Sequence, residues 1–213
     1  MSTGRTEAFS DGVFAIAATL LVLELEVPHV EPGGLAGALL ERWPSYATYV
    51  VSFLTIGIIW VNHHAVMERI RVVNRPLLFN NLLFLMAVAA IPFPTALLAD
   101  YLREGHDERL AAAVYGGTMA VMGVTFGATW AYAVLSGLLD ENVDPDLARR
   151  SLWIFAFGNP LYVLAIGASL LSASLALAIY AFLALFYMFD VLPPLEQDSE
   201  KSPGSTDQPG SIG

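Results

Sequence analysis

The sequence contains no cysteine among its 213 residues, which excludes disulfides, thiolate metal sites and cysteine nucleophiles together. Charge is scarce as well: Asp, Glu, Lys and Arg make up 14% of the chain, against roughly a quarter in a soluble domain. No HExxH pair is present, the spacing that sets two zinc-binding histidines on one helical face. Nor does any apolar run carry the regularly spaced arginines of a voltage sensor. The N-terminus lacks the basic flank, short apolar core and small-residue cut site of a cleavable leader, so the first run is expected to remain in the mature protein. No internal repeat is visible. What the chain does have is apolar surface: 56% of its residues are hydrophobic and its mean hydropathy is +0.60.

Runs of about 20 apolar residues mark membrane spans, and the chain divides into six of them. They cover about 7–27, 46–66 ("YATYVVSFLTIGIIWVNHHAV"), 77–99 ("LLFNNLLFLMAVAAIPFPTALLA"), 110–139, 151–171 and 173–192. The fourth is Gly-rich in its middle, and the last two are separated by a short turn at Ser172. Pro193 and Pro194 stop the sixth, because proline cannot continue a helix. The expected fold is therefore all-α, a polytopic membrane protein whose residues 1–192 form one six-helix unit. Residues 193–213, polar and rich in Pro, Gly and Ser, read as a disordered cytoplasmic tail.

Lys and Arg in the loops set the orientation. With the N-terminus inside, Arg5, Arg69, Arg71, Arg75, Arg149, Arg150 and Lys201 are cytoplasmic, and Arg42, Arg103 and Arg109 lie outside. Both termini are thus expected in the cytoplasm. Of the acids behind the net charge of −10, Glu24, Glu26, Glu31, Glu41, Asp100, Glu104, Asp107 and Glu108 fall on the outer side. That excess would draw cations toward it, although acidic loops also simply keep a membrane protein's rim solvated.

The first run, "RTEAFSDGVFAIAATLLVLELEV", joins a polar start to an oily remainder. Projected at about 100° per residue, Phe9, Val13, Ile16, Leu20, Leu23 and Val27 share one face, with Thr19 at its edge. Asp11 lies about 140° round from that stripe, so the acid and the stripe look in different directions. An acid at the membrane needs a partner. Arg5 and the "WVNHH" end of the second run (Trp60, Asn62, His63, His64) are the candidates, and Asp11 is expected to clasp span 1 to its own subunit.

Arg5 followed by Phe9-Ser10-Asp11 and an apolar helix resembles the signature first helix of the bacterial branch of the transmembrane protein 175 family, whose members are potassium-permeable channels. The "WVNHH" segment and "NNLLFLMAVAAIPFPTALL", with Asn81, Pro92 and Pro94, extend the likeness to about residues 5–192. The resemblance implies a homotetramer in a bacterial inner membrane, with four copies of span 1 around the axis. In such a channel the constriction is an apolar side-chain neck, here Ile16 with Thr19, Leu20 and Leu23 as further layers. Arg5, Ser10, Asp11, Trp60 and His64 would hold span 1 without touching ions, in one network with Phe9, His63 and Asn81. Glu24 and Glu26 would be placed to form an outer cation-attracting ring. Permeant K⁺ and the lipid bilayer are the implied companions, with no cofactor, metal or nucleic acid.

The residues leave other readings open. A Thr-Val-Gly-Tyr-Gly filter is missing, and Gly116 with Gly117 in "VYGG" is expected to serve close helix packing. The apolar stripe could instead pack against other helices, as most do. His64 and Glu68 stand one turn apart as metal ligands often do, but no third ligand accompanies them, and no nucleophile, base and orienter assemble into an enzyme. The stronger alternative is a proton- or ion-coupled secondary transporter. It would use Asp11, Asn80, Asn81, Asn159 and Asp190 as a relay and Pro92, Pro94 and Pro160 as helix breaks.

Overall fold

The apolar runs fold into eight helices in a computed structural model that describes residues 3–186, with the backbone alone at 154–159 and 186. These helices are α1 (Thr3–Leu20), α2 (Leu35–Glu41), α3 (Trp43–Glu68), α4 (Arg75–Ala90), α5 (Pro92–Glu104), α6 (Glu108–Leu135), α7 (Pro145–Ser169) and α8 (Ala173–Phe186). A 3-10 turn, Leu21–Glu24, continues α1. The end of the sixth expected span, the tail, Asp190 and the side chain of Asn159 lie outside the described residues. By length and composition, Thr3–Glu24, Trp43–Glu68, Arg75–Glu104 and Glu108–Leu135 can cross a membrane, and Pro160–Ser169 and Ala173–Leu185 are shorter apolar helices.

Local chemistry places the helix ends. Asn74 starts α4 by accepting from the Leu77 N–H at 3.0 Å, and Asp144 starts α7 by accepting from Asp146 and Leu147 at 2.8 and 3.2 Å. These are N-caps, which satisfy amide donors that the first helical turn leaves bare. Gly105, at φ 75°, closes α5 in a left-handed conformation that costs glycine little.

The third expected span is two helices rather than one. Pro92 has no N–H to donate, so the ladder breaks at Ile91, whose own N–H bonds Val88 O at 3.1 Å in a tighter turn. Proline is acceptable in a first helical turn, so α5 begins at once. The short α2 was not anticipated, since 31–42 has neither a span's length nor a clear apolar period.

The core sits around α6, which packs on α4, α5, α7 and α8 and contributes Tyr115, Met119, Met122 and Trp130, all fully buried. Close approach is possible because Gly116 has no side chain: a Cβ there would collide with the Tyr180 hydroxyl and come within 2.7 Å of Ile166 Cγ1. Gly117, by contrast, faces open space. At one end of the bundle the α3–α4 and α6–α7 connections pair. Arg71 N–H donates to Leu138 O and Asp140 N–H to Arg69 O, both at 2.9 Å, and Ile70 and Leu139 form an antiparallel bridge.

Candidate functional site

α1 lies at the side of the bundle against α3 and α4, and its faces differ sharply. Thr6, Ser10, Phe14 and Ala17 are buried, followed by Leu21 in the 3-10 turn. About 100° round from that buried face, Phe9, Ile16, Leu20 and Leu23 are 55, 61, 41 and 71% exposed. Most of the expected stripe is therefore uncovered within one chain, whereas Val13 is half-buried against the core. Small residues flank it, since Ala8, Gly12, Ala15 and Thr19 are exposed beside it. Thr19 Oγ1 donates back to Ala15 O and Ile16 O, both at 2.9 Å, which leaves its oxygen free to accept. The 3-10 geometry of Leu21–Glu24 alters the register, because residues i and i+3 eclipse there. Leu23 consequently stands close to directly above Leu20.

The buried side of α1 is held by a chain of polar groups from three helices. Asn81 of α4 donates to Ser10 Oγ at 3.1 Å, and Ser10 Oγ donates to Thr6 O at 2.9 Å. The Asn81 carbonyl oxygen lies 2.9 Å from His63 Nε2, so that nitrogen must be the donor. Asn81 thus uses both ends of its amide to bridge α1 and α3. His63 is sealed between Phe14 and Phe84, with ring centroids at 5.5 and 5.4 Å. Two buried atoms, His63 Nδ1 and Thr6 Oγ1, have no hydrogen-bond partner among the described residues.

A second set of contacts sits nearer the surface. Trp60 Nε1 donates to Asp11 Oδ1 at 2.8 Å, which ties the acid to α3. His64 contacts Glu7 through Nδ1 and approaches Glu68 at 3.4 Å through Nε2. Arg5 is exposed and makes no hydrogen bond or ion pair among the described residues; with Asp11 six positions on, the two side chains leave α1 on different sides. Glu7 belongs to no motif in the sequence, and its contact with His64 of α3 spans 57 positions. The signal lay in its place one turn before Asp11. An open groove of about 380 Å³ runs between α1 and α3, lined by Asp11, Ala15, Phe53, Gly57 and Trp60 among others.

The two outer acids diverge. Arg42 donates to Glu26 at both the backbone oxygen, 2.8 Å, and the carboxylate, 3.3 Å. Glu24 is exposed and has no such partner among the described residues. Of the transporter candidates, Asn80 is occupied by Thr125 O and Thr129 Oγ1 at 3.0 and 2.5 Å. No group of three potential metal ligands occurs among the described residues.

Residues 5–92 match the family model described as "Endosomal/lysosomal potassium channel TMEM175". A potassium channel of Streptomyces collinus is 52% identical over 193 residues, 90% of this chain and 94% of that one. A potassium channel of Chamaesiphon minutus is 41% identical over 189 residues, 87% of this chain and 93% of that one. Among solved structures, the crystal structure of a lysosomal potassium-selective channel TMEM175 homolog from Chamaesiphon minutus superposes with a TM-score of 0.79. Its sequence identity is 39%, and the match covers 87% of this chain and 95% of that one.

Proposed function

Because this chain belongs to the TMEM175 family, we propose that it is a potassium-permeable channel of the leak type, in which α1 from four copies lines a central pore. The observation that carries this reading is the exposure of Ile16, Leu20 and Leu23 on a helix whose neighbouring face is packed and hydrogen-bonded. A polar anchor fixes the helix, and the uncovered stripe is free to meet its symmetry mates.

Four isoleucine side chains around an axis close a narrow neck that sheds water, a hydrophobic gate. A small outward rotation admits water and a partly hydrated ion. Alkyl groups cannot replace an ion's hydration shell, so the preference of such a neck for K⁺ over Na⁺ is modest. The Thr19 oxygens, whose hydrogens are committed to the backbone, supply a polar layer close to it. Both termini lie in the cytoplasm, and the channel sits in the bacterial inner membrane.

Flux of K⁺, Na⁺ and Cs⁺ into liposomes tests the reading. Wild type conducts rapidly and without coupling, and Ile16→Asn wets the neck, raising flux and eroding the preference among the three ions. An Ile16→Asn variant that conducts like wild type removes Ile16 from the pore. Slow, saturable flux that requires a second ion points instead to a transporter.

A further inference from the structure

Three hydroxyls meet in the middle of the bundle, away from α1. Ser52 Oγ of α3 lies 2.7 Å from Thr95 Oγ1 of α5 and 3.0 Å from the Tyr115 hydroxyl of α6. Ser52 and Tyr115 are fully buried and Thr95 is 2% exposed. The direction of this chain follows from one commitment. Thr95 Oγ1 donates its hydrogen to Ile91 O at 2.8 Å, so it can only accept from Ser52. Ser52, having donated, is left to accept from Tyr115, whose hydroxyl also lies beside that of Thr55. The chain therefore runs from α6 through α3 to α5 and ends on the carbonyl of Ile91, where Pro92 breaks the helix. Tyr180 steadies its start, with its ring 5.1 Å from that of Tyr115 and its hydroxyl on Ala112 O at 3.1 Å. Removing the Thr95 or Ser52 hydroxyl strands a buried donor, and removing the Tyr115 hydroxyl unties α6 from the chain.

The helix held in this way supports the outer end of α1. Ala96 and Ala99 of α5 and Ser45 of α3 line one recess with Leu23 and Glu24, and Leu21 is fully buried beneath the turn. The turn carrying Leu23 thus rests on α5 and α3, the two helices whose register the hydroxyl chain sets. A change from 3-10 to α geometry would swing Leu23 by about 60° relative to Leu20, about 20° for each of three residues.

We propose that the Ser52–Thr95–Tyr115 hydroxyl chain is a positioning device for the outer layer of the constriction: it pins α5 at its break, so that the turn stays 3-10 and Leu23 stays stacked over Leu20. The inference rests on the pore reading above. These residues act through α5 and touch no ion.

The test compares Thr95→Val, Thr95→Ser and Tyr115→Phe in proteoliposomes by the K⁺/Na⁺ permeability ratio, with Ile16→Asn as control. Tyr115→Phe keeps the ring and its packing, so it reports even if Thr95→Val fails to assemble. Thr95→Val and Tyr115→Phe are expected to lower the ratio about two-fold, and Thr95→Ser, which restores the hydroxyl, to match wild type. In a Leu23→Ala background Tyr115→Phe should have no further effect on the ratio, a result that loss of stability alone does not produce. An unchanged ratio in Tyr115→Phe while Ile16→Asn alters permeation overturns this inference and leaves the pore reading intact. An inert Ile16→Asn overturns both.

Discussion

Asn81 is the residue on which most of the anchor converges, since one amide satisfies Ser10 on α1 and His63 on α3. Asn81→Ala leaves the His63 Nε2–H without an acceptor inside the bundle, at about 1–3 kcal/mol, while Ser10 keeps its bond to Thr6 O. A melting temperature in detergent several degrees below wild type checks this, and an unchanged value would mean that water replaces the amide without cost. Asp11 is different, because its bond to Trp60 is near the surface. Asp11→Ala should weaken assembly by about 1 kcal/mol, seen as loss of tetramer on native gels, before it alters ion preference. A variant that assembles normally and changes selectivity alone would move Asp11 from the anchor into the conduction path. Glu24, with Glu26 already neutralised by Arg42, is the better outer acid. Glu24→Gln is expected to lower unitary conductance at about 0.01 M salt and to have little effect at about 1 M, where screening shortens the reach of a charge to about 3 Å.

At the scale of elements, the close contact of α6 with α7 and α8 depends on one missing side chain. Gly116→Ala drives a methyl group against the Tyr180 hydroxyl and Ile166, and both neighbours are held by packing. Overpacking of this kind costs about 1–3 kcal/mol, measurable as lower thermal stability, whereas Gly117→Ala faces open space inside a helix and should stabilise by about 0.5–1 kcal/mol. Helix positions were largely legible in the sequence, because a run of apolar residues long enough to span lipid is a strong signal and the charges between runs are few. The break at Ile91 was visible only as Pro92 and Pro94 inside an apolar run, since proline fits a first helical turn as readily as it interrupts an interior one. The 3-10 turn at Leu21–Glu24 had no such mark. It packs on α3 and α5, contacts that no local pattern encodes.

For the whole molecule, the polar groups that matter come together from distant positions, and that is why the sequence revealed them unevenly. Ser10, Asp11, Trp60 and Asn81 stood out as polar residues inside oily runs within recognisable motifs. Ser52, Thr95 and Tyr115 did not, because single hydroxyls in a membrane helix usually bond their own backbone, and only the packing of three helices shows that these share one node. Truncation after Leu192 tests the boundary of the conducting unit: flux equal to wild type is expected, and loss of flux would assign the tail a part in conduction. The paired connections at the end of the bundle have a further bearing. Main-chain bonds from Arg71 and Asp140 join the reversal after α3 to the reversal after α6, so four helices share a single stiff floor. An antibody fragment gripping either reversal would therefore load both helix pairs at once, making that floor a handle for restraining the subunit without touching its interior.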